Sequence, residues 1–143
     1  MGWIGVDLDG TLARYESGQY PEIGEPIEPM VQRVLKWLKD GQEVRILTAR
    51  AAHGEEDIER VATWLTDVAG LPRLQVTCSK DPDMDVLWDD KAIQVKPNTG
   101  EPIVDENLQE SLARSVPWKK QRKKVSDPNS FELMASLEKG AKE

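Results

Sequence analysis

The sequence is poor in the residues that most often announce a site. One cysteine, Cys78, leaves no partner for an internal disulfide, and a single histidine, His53, rules against a Cys/His zinc centre. Cys78 is expected instead as a small buried side chain in a strand. No apolar run approaches membrane-spanning length, and no basic stretch precedes a signal-type hydrophobic core, so a cytoplasmic protein is expected. Internal repeats and low-complexity tracts are absent too. A net charge of −7 disfavours general nucleic-acid binding. Against that trend, Lys119, Lys120, Arg122, Lys123 and Lys124 form one basic cluster. What remains is 143 residues, 38% hydrophobic and 31% charged, enough for one compact domain with a real core.

The chain is organised around Val6-Asp7-Leu8-Asp9-Gly10-Thr11. Trp3–Val6 reads as a short buried strand, apolar and partly β-branched, that stops at Asp7. Asp7 and Asp9 then lie two residues apart, on one side of an extended chain. Two carboxylates in so small a volume need a cation or a shared proton between them. The plainer reading is a strand followed by an Asp-Gly turn.

Further along, 12–29 carries Gly18, Pro21, Gly24, Pro26 and Pro29, which predicts an ordered loop in which Tyr15 and Tyr20 either wall a pocket or pack on its edge. Met30, Val31, Val34, Leu35, Trp37 and Leu38 recur at helical spacing, from Pro29 to a stop at Gly41. Glu43–Leu47 is a second strand, followed by Thr48-Ala49-Arg50. A helix then runs from the acidic Glu55-Glu56-Asp57 turn to Gly70 and Pro72. Leu74–Cys78 is a third strand and Asp85–Trp88 a fourth, ending in Asp89-Asp90. Lys91–Val95 is expected as one more short strand, turned by Pro97–Gly100. Beyond residue 100, 105–116 and the Phe131–Leu137 stripe read as helices joined by the basic linker. Strands alternating with helices predict an α/β fold with a doubly wound parallel sheet, in which ligands bind at the carboxyl ends of the strands. Asp7, Asp9, Thr48, Lys80, Asp89 and Asp90 all follow predicted strands.

If those ends meet, Asp7, Asp9, Asp89 and Asp90 make an oxygen-rich site suited to Mg²⁺. Asp7 is then placed as nucleophile and Asp9 as the group that gives and takes a proton. Thr48, Lys80 and the backbone around Gly10 offer donors and charge to phosphoryl oxygens. Each has an ordinary alternative: a surface lysine, a strand-end cap, a turn.

As a set, these motifs resemble the haloacid dehalogenase (HAD) superfamily of phosphohydrolases. Asp7-Leu8-Asp9-Gly10-Thr11 is similar to its first motif, Thr48 to its second, Lys80 to its third and Asp89-Asp90 to its fourth, in family order over about the first hundred residues. The resemblance implies a Rossmann-like three-layer fold, an aspartyl-phosphate on Asp7, and Mg²⁺ held by Asp7, the Asp9 carbonyl and Asp89, with Asp90 as a further ligand or holding a water. The usual insertion points hold only short loops, so no cap domain is expected. Members without a cap tend to take bulky substrates or to oligomerise, which leaves a homo-oligomer open.

The Thr48-Ala49-Arg50 form resembles small nucleotidases and the 3′-phosphatase domain of phage polynucleotide kinases. Arg50 then binds substrate, as a second phosphate or a base edge, or pairs with an acidic neighbour. His53 is expected as an exposed loop residue. The expected organisation is a catalytic core over 1–100 and a helical, basic extension over 101–143. The expected function is an Mg²⁺-dependent phosphomonoesterase acting on a nucleotide or a nucleic-acid end, with the Lys119–Lys124 cluster as a possible nucleic-acid contact. The alternatives are a sugar- or small-metabolite phosphatase and a non-catalytic binding module on the same fold.

Overall fold

The computed structural model describes residues 2–103. The chain divides into two units, Met1–Ala92 and Ile93–Glu143. In the first, β1 (Trp3–Val6), α1 (Glu28–Lys39), β2 (Glu43–Leu47), a 3₁₀ turn (Ala49–His53), α2 (Glu55–Asp67), β3 (Gln75–Thr77) and β4 (Met84–Trp88) follow one another. The four strands form one sheet in the order β3-β2-β1-β4, with every pairing parallel. This is an α/β fold.

Alternation along the strands decides which side chains meet the helices. Ile4 and Val6 of β1, Val44 and Ile46 of β2 and Val76 of β3 all enter one buried cluster. Met30, Val31 and Val34 of α1 and Val61, Ala62, Trp64 and Leu65 of α2 complete it. Both helices therefore pack on the same sheet face. Helices on the opposite face, as a doubly wound sheet requires, are not present among the described residues. No helix among the described residues is long and apolar enough to cross a membrane.

The helix ends follow local chemistry. Pro29 stands in the first turn of α1, where its missing N–H costs nothing. Glu55, Glu56 and Asp57 sit in the first turn of α2, where the helix dipole favours negative charge. The loop between β1 and α1 is closed at its base by the Ala13–Pro26 bridge and by Arg14 N–H donating to Glu25 O at 2.8 Å. Its far side is tied to α2 by Trp64 Nε1–H donating to Gly24 O at 3.0 Å.

Between β3 and β4 there is no helix. Residues 78–83 cross directly from the carboxyl end of β3 to the amino end of β1. There Trp3 N–H donates to Asp83 O (3.0 Å) and Trp3 Nε1–H to Asp81 Oδ1 (2.8 Å). This crossing exposes Cys78, which is not the buried strand residue expected of it.

In the second unit, Pro97–Gly100 forms the expected turn, with Lys96 N–H donating to Glu101 O at 2.8 Å and Ile103 N–H to Gln94 O at 2.7 Å. The strand expected over Lys91–Val95 does not form: only an isolated bridge, Val95 to Pro102, is made, and Ile93 and Val95 are exposed. Without a neighbouring strand or a buried face, apolar alternation has nothing to pair with. The expected 105–116 helix, the basic cluster and the Phe131–Leu137 stripe lie outside the described residues.

Candidate active site

Strand pairing brings the acidic residues together. Val6 is in register with Trp88, and Asp7 N–H donates to Trp88 O at 2.9 Å, so the residues after β1 and β4 emerge side by side. One carboxylate oxygen each from Asp7, Asp89 and Asp90 lie within 4.8 Å of one another. Asp7 is pushed up from 3.8 to about 7, first by burial, then by its carboxyl contact with Asp90 and the charges of Asp89 and Asp90. The Leu8 backbone N–H opposes the shift. Burial and the two neighbouring carboxylates together disfavour the charged form of Asp7.

The turn that follows is built to hold this cluster. Thr11 Oγ1 accepts Asp90 N–H at 3.1 Å and lies 3.2 Å from Asp90 Oδ1 and 3.4 Å from Asp7 Oδ2. Gly10 adopts φ +92°, and a Cβ there would collide with the Asp90 carboxylate. A side chain at this position would be strained by the positive φ and would have to displace the Asp90 carboxylate.

Asp9 faces a different partner. Arg50 Nε–H donates to Asp9 Oδ2 at 2.8 Å and an NH2 hydrogen to Oδ1 at 3.0 Å. The same guanidinium, 5% exposed, donates to Pro21 O at 2.7 Å and Glu22 O at 2.9 Å. Of the two roles open for Arg50, pairing with an acidic neighbour is what the geometry holds, and the pairing also fixes the loop after β1. Thr48 is buried at the end of β2, and its Oγ1 accepts Arg50 N–H at 3.1 Å. That leaves its own proton free to donate.

These residues surround one cavity of about 700 Å³, with Asp7, Asp9, Gly10, Thr48, Arg50, Asp89 and Asp90 in its wall. Tyr15 and Tyr20 of the loop wall it as well. Lys80 does not line it. The direct crossing from β3 carries Lys80 away toward Asp81, which pairs with Trp3 and Arg45 near the amino ends of the strands. Lys91 lines the cavity instead, its N–H donating to Asp89 Oδ1 at 2.7 Å. Its place directly after Asp89-Asp90 was the signal for it. His53 is exposed, as expected, but it also reaches Tyr20 and Asp57 at the cavity's edge.

No protein-family model and no curated protein sequence matches this chain. A solved structure, that of a conserved protein from Bacteroides thetaiotaomicron, is similar to it at TM-score 0.50 and 21% identity, covering 78% of this chain and 88% of that one. At that identity the likeness concerns the fold alone.

Proposed function

We propose that this chain is an Mg²⁺-dependent phosphomonoesterase of haloacid dehalogenase type. The observation that carries the reading is the convergence of Asp7, Asp89 and Asp90 beside a cavity that also holds Asp9 and Thr48. The donor set fits the metal: three carboxylates are hard oxygen ligands, and the raised Asp7 reflects a cluster that lacks positive charge. When bound by Asp7, Asp89 and Asp90, Mg²⁺ supplies charge neutralisation for the phosphoryl group.

Asp7 then attacks phosphorus, forming an aspartyl phosphate as the bond to the leaving oxygen breaks. Asp9, which loosens from Arg50 and takes up a proton from solvent as substrate enters, gives it to that oxygen, and the alcohol departs. Water next attacks the aspartyl phosphate, Asp9 takes the water's proton, and inorganic phosphate leaves with Asp7 restored as carboxylate. Before substrate binds, Arg50 aims Asp9, because its fork grips both carboxylate oxygens while two loop carbonyls hold the fork. The Thr48 hydroxyl and the Lys91 ammonium serve the remaining phosphoryl oxygens.

One observation favours the rival reading, a non-catalytic module on this fold: Lys80 stands outside the cavity. Lys91, which lines the cavity, is the residue proposed to supply a cation in its place. The test is hydrolysis of p-nitrophenyl phosphate, mononucleotides, phosphorylated oligonucleotides and sugar phosphates with and without Mg²⁺, by wild type and Asp7→Asn. Mg²⁺-dependent turnover lost in Asp7→Asn supports the proposal. Absence of turnover on the whole panel sinks it in favour of the binding module.

A further inference from the structure

We propose that the ring of Tyr20 is a stacking platform for the base of a nucleotide whose phosphate lies at the Asp7–Thr48 end of the cavity. The inference rests on the phosphatase reading for the position of the phosphate, and it names the leaving group. Tyr20 is 45% exposed, yet it is held from three sides. Its Oη donates to Asp57 Oδ2 at 2.6 Å, and with that proton committed His53 Nδ1 acts as the donor at 2.8 Å. The His53 ring meets it at right angles, centroids 5.5 Å apart, and the Arg50 guanidinium carbon lies 5.1 Å over the Tyr20 centroid.

A surface tyrosine in ordinary contact with solvent gains little from such anchoring, since fixing it costs rotamer entropy. A ring fixed before a ligand arrives avoids that cost at binding. The anchoring also decides what the ring offers. Its hydroxyl is engaged by Asp57 and His53 and one ring face lies under Arg50, so the half-exposed ring has its other face, and not its hydroxyl, to offer a ligand. Asp57 is held below the usual carboxylate range by the Tyr20 hydroxyl first, and Tyr20 is raised in turn, as a strong hydrogen bond between them requires. Tyr15, exposed on the same loop, lines the same cavity. A volume of about 700 Å³ leaves ample room beside a phosphoryl group for a second, planar moiety. The chemistry is shared by a free mononucleotide and by the terminal residue of a nucleic acid.

The experiment measures binding calorimetrically in Mg²⁺ on the full chain carrying Asp7→Asn, with AMP, a 5′-phosphorylated trinucleotide, glycerol 2-phosphate and glucose 6-phosphate. AMP or the trinucleotide should bind more tightly than either aliphatic phosphate, and the tighter of the two names the source. Tyr20→Leu should lower the ratio of nucleotide to glycerol-phosphate affinity by about 5- to 150-fold, the range for loss of one base–aromatic stack. Tyr20→Phe, which keeps the ring, should hold that ratio within about threefold. The inference is overturned if the ratio is the same in Tyr20→Leu, if Tyr20→Phe falls as far as Tyr20→Leu, or if glucose 6-phosphate shows the same dependence on the ring. Failure of the phosphatase reading looks different. In that case the Asp7-containing protein hydrolyses none of the four compounds, while Tyr20-dependent nucleotide binding persists.

Discussion

Replacing Arg50 by methionine keeps an apolar stem of similar length and removes the guanidinium. Four hydrogen bonds go with it, two to Asp9 and one each to Pro21 O and Glu22 O. Breaking a buried ion pair from one side costs about 3–5 kcal/mol, because the abandoned charge stays behind. Here the Asp9 side chain is 24% exposed, so water recovers part of the loss, and about 2–3 kcal/mol is the appropriate expectation. For a chain of this size that lowers Tm by roughly 6–15 °C. The assay is thermal and urea unfolding of wild type, Arg50→Met, Asp9→Asn and the double variant. The cycle should show a coupling of at least about 1.5 kcal/mol, since each single variant already loses the shared pair. Arg50→Lys should recover only part of the stability, because an ammonium cannot span two carboxylate oxygens and two carbonyls in one plane. Stability of Arg50→Met within about 0.5 kcal/mol of wild type, with no coupling, would refute the reasoning.

Three further outcomes follow from the site. Asp89→Asn should raise the Mg²⁺ concentration for half-maximal activity by at least about tenfold, with activity partly restored at high metal; an unchanged midpoint would place the ligand elsewhere. Lys91→Met should lower kcat/KM by about 10- to 100-fold while Lys80→Met stays within about twofold; the reverse order would return the phosphate-binding role to Lys80. Because Asp7 in the folded protein keeps its proton up to about pH 7 while the unfolded chain releases it near 3.8, metal-free stability should fall as pH rises across that window. Mg²⁺ should then raise Tm more at about pH 8 than at about pH 5, where it must displace the proton; equal gains would contradict the assignment.

The strands and helices were readable because each is a local pattern: the apolar run at Trp3–Val6 and the stripe from Met30 to Leu38 fall within the elements observed. The gathering of Asp7, Thr48 and Asp89 was readable for a topological reason, since parallel strands deliver all their carboxyl ends to one edge. Lys80 escaped this logic because the link from β3 to β4, though too short for a helix, does not itself say that the chain leaves the carboxyl edge directly after Cys78. The same crossing exposes Cys78. The Arg50–Asp9 pair joins residues 41 apart in the chain, and spacing alone leaves an arginine beside a phosphate-type site free to take either role. Lys91–Val95 misled because alternation describes a strand's preference and not the presence of a partner to pair with.

The central claim is that Asp7 carries the phosphoryl group. The direct measurement is reduction of the working enzyme with borohydride during turnover in Mg²⁺, followed by mass analysis of the peptide containing residues 1–14. An acyl phosphate on Asp7 is reduced to the alcohol, so homoserine should appear at position 7, with Asp9 unmodified and no product in Asp7→Asn. Steady turnover without homoserine at position 7, or with the label at Asp9 instead, would contradict the account.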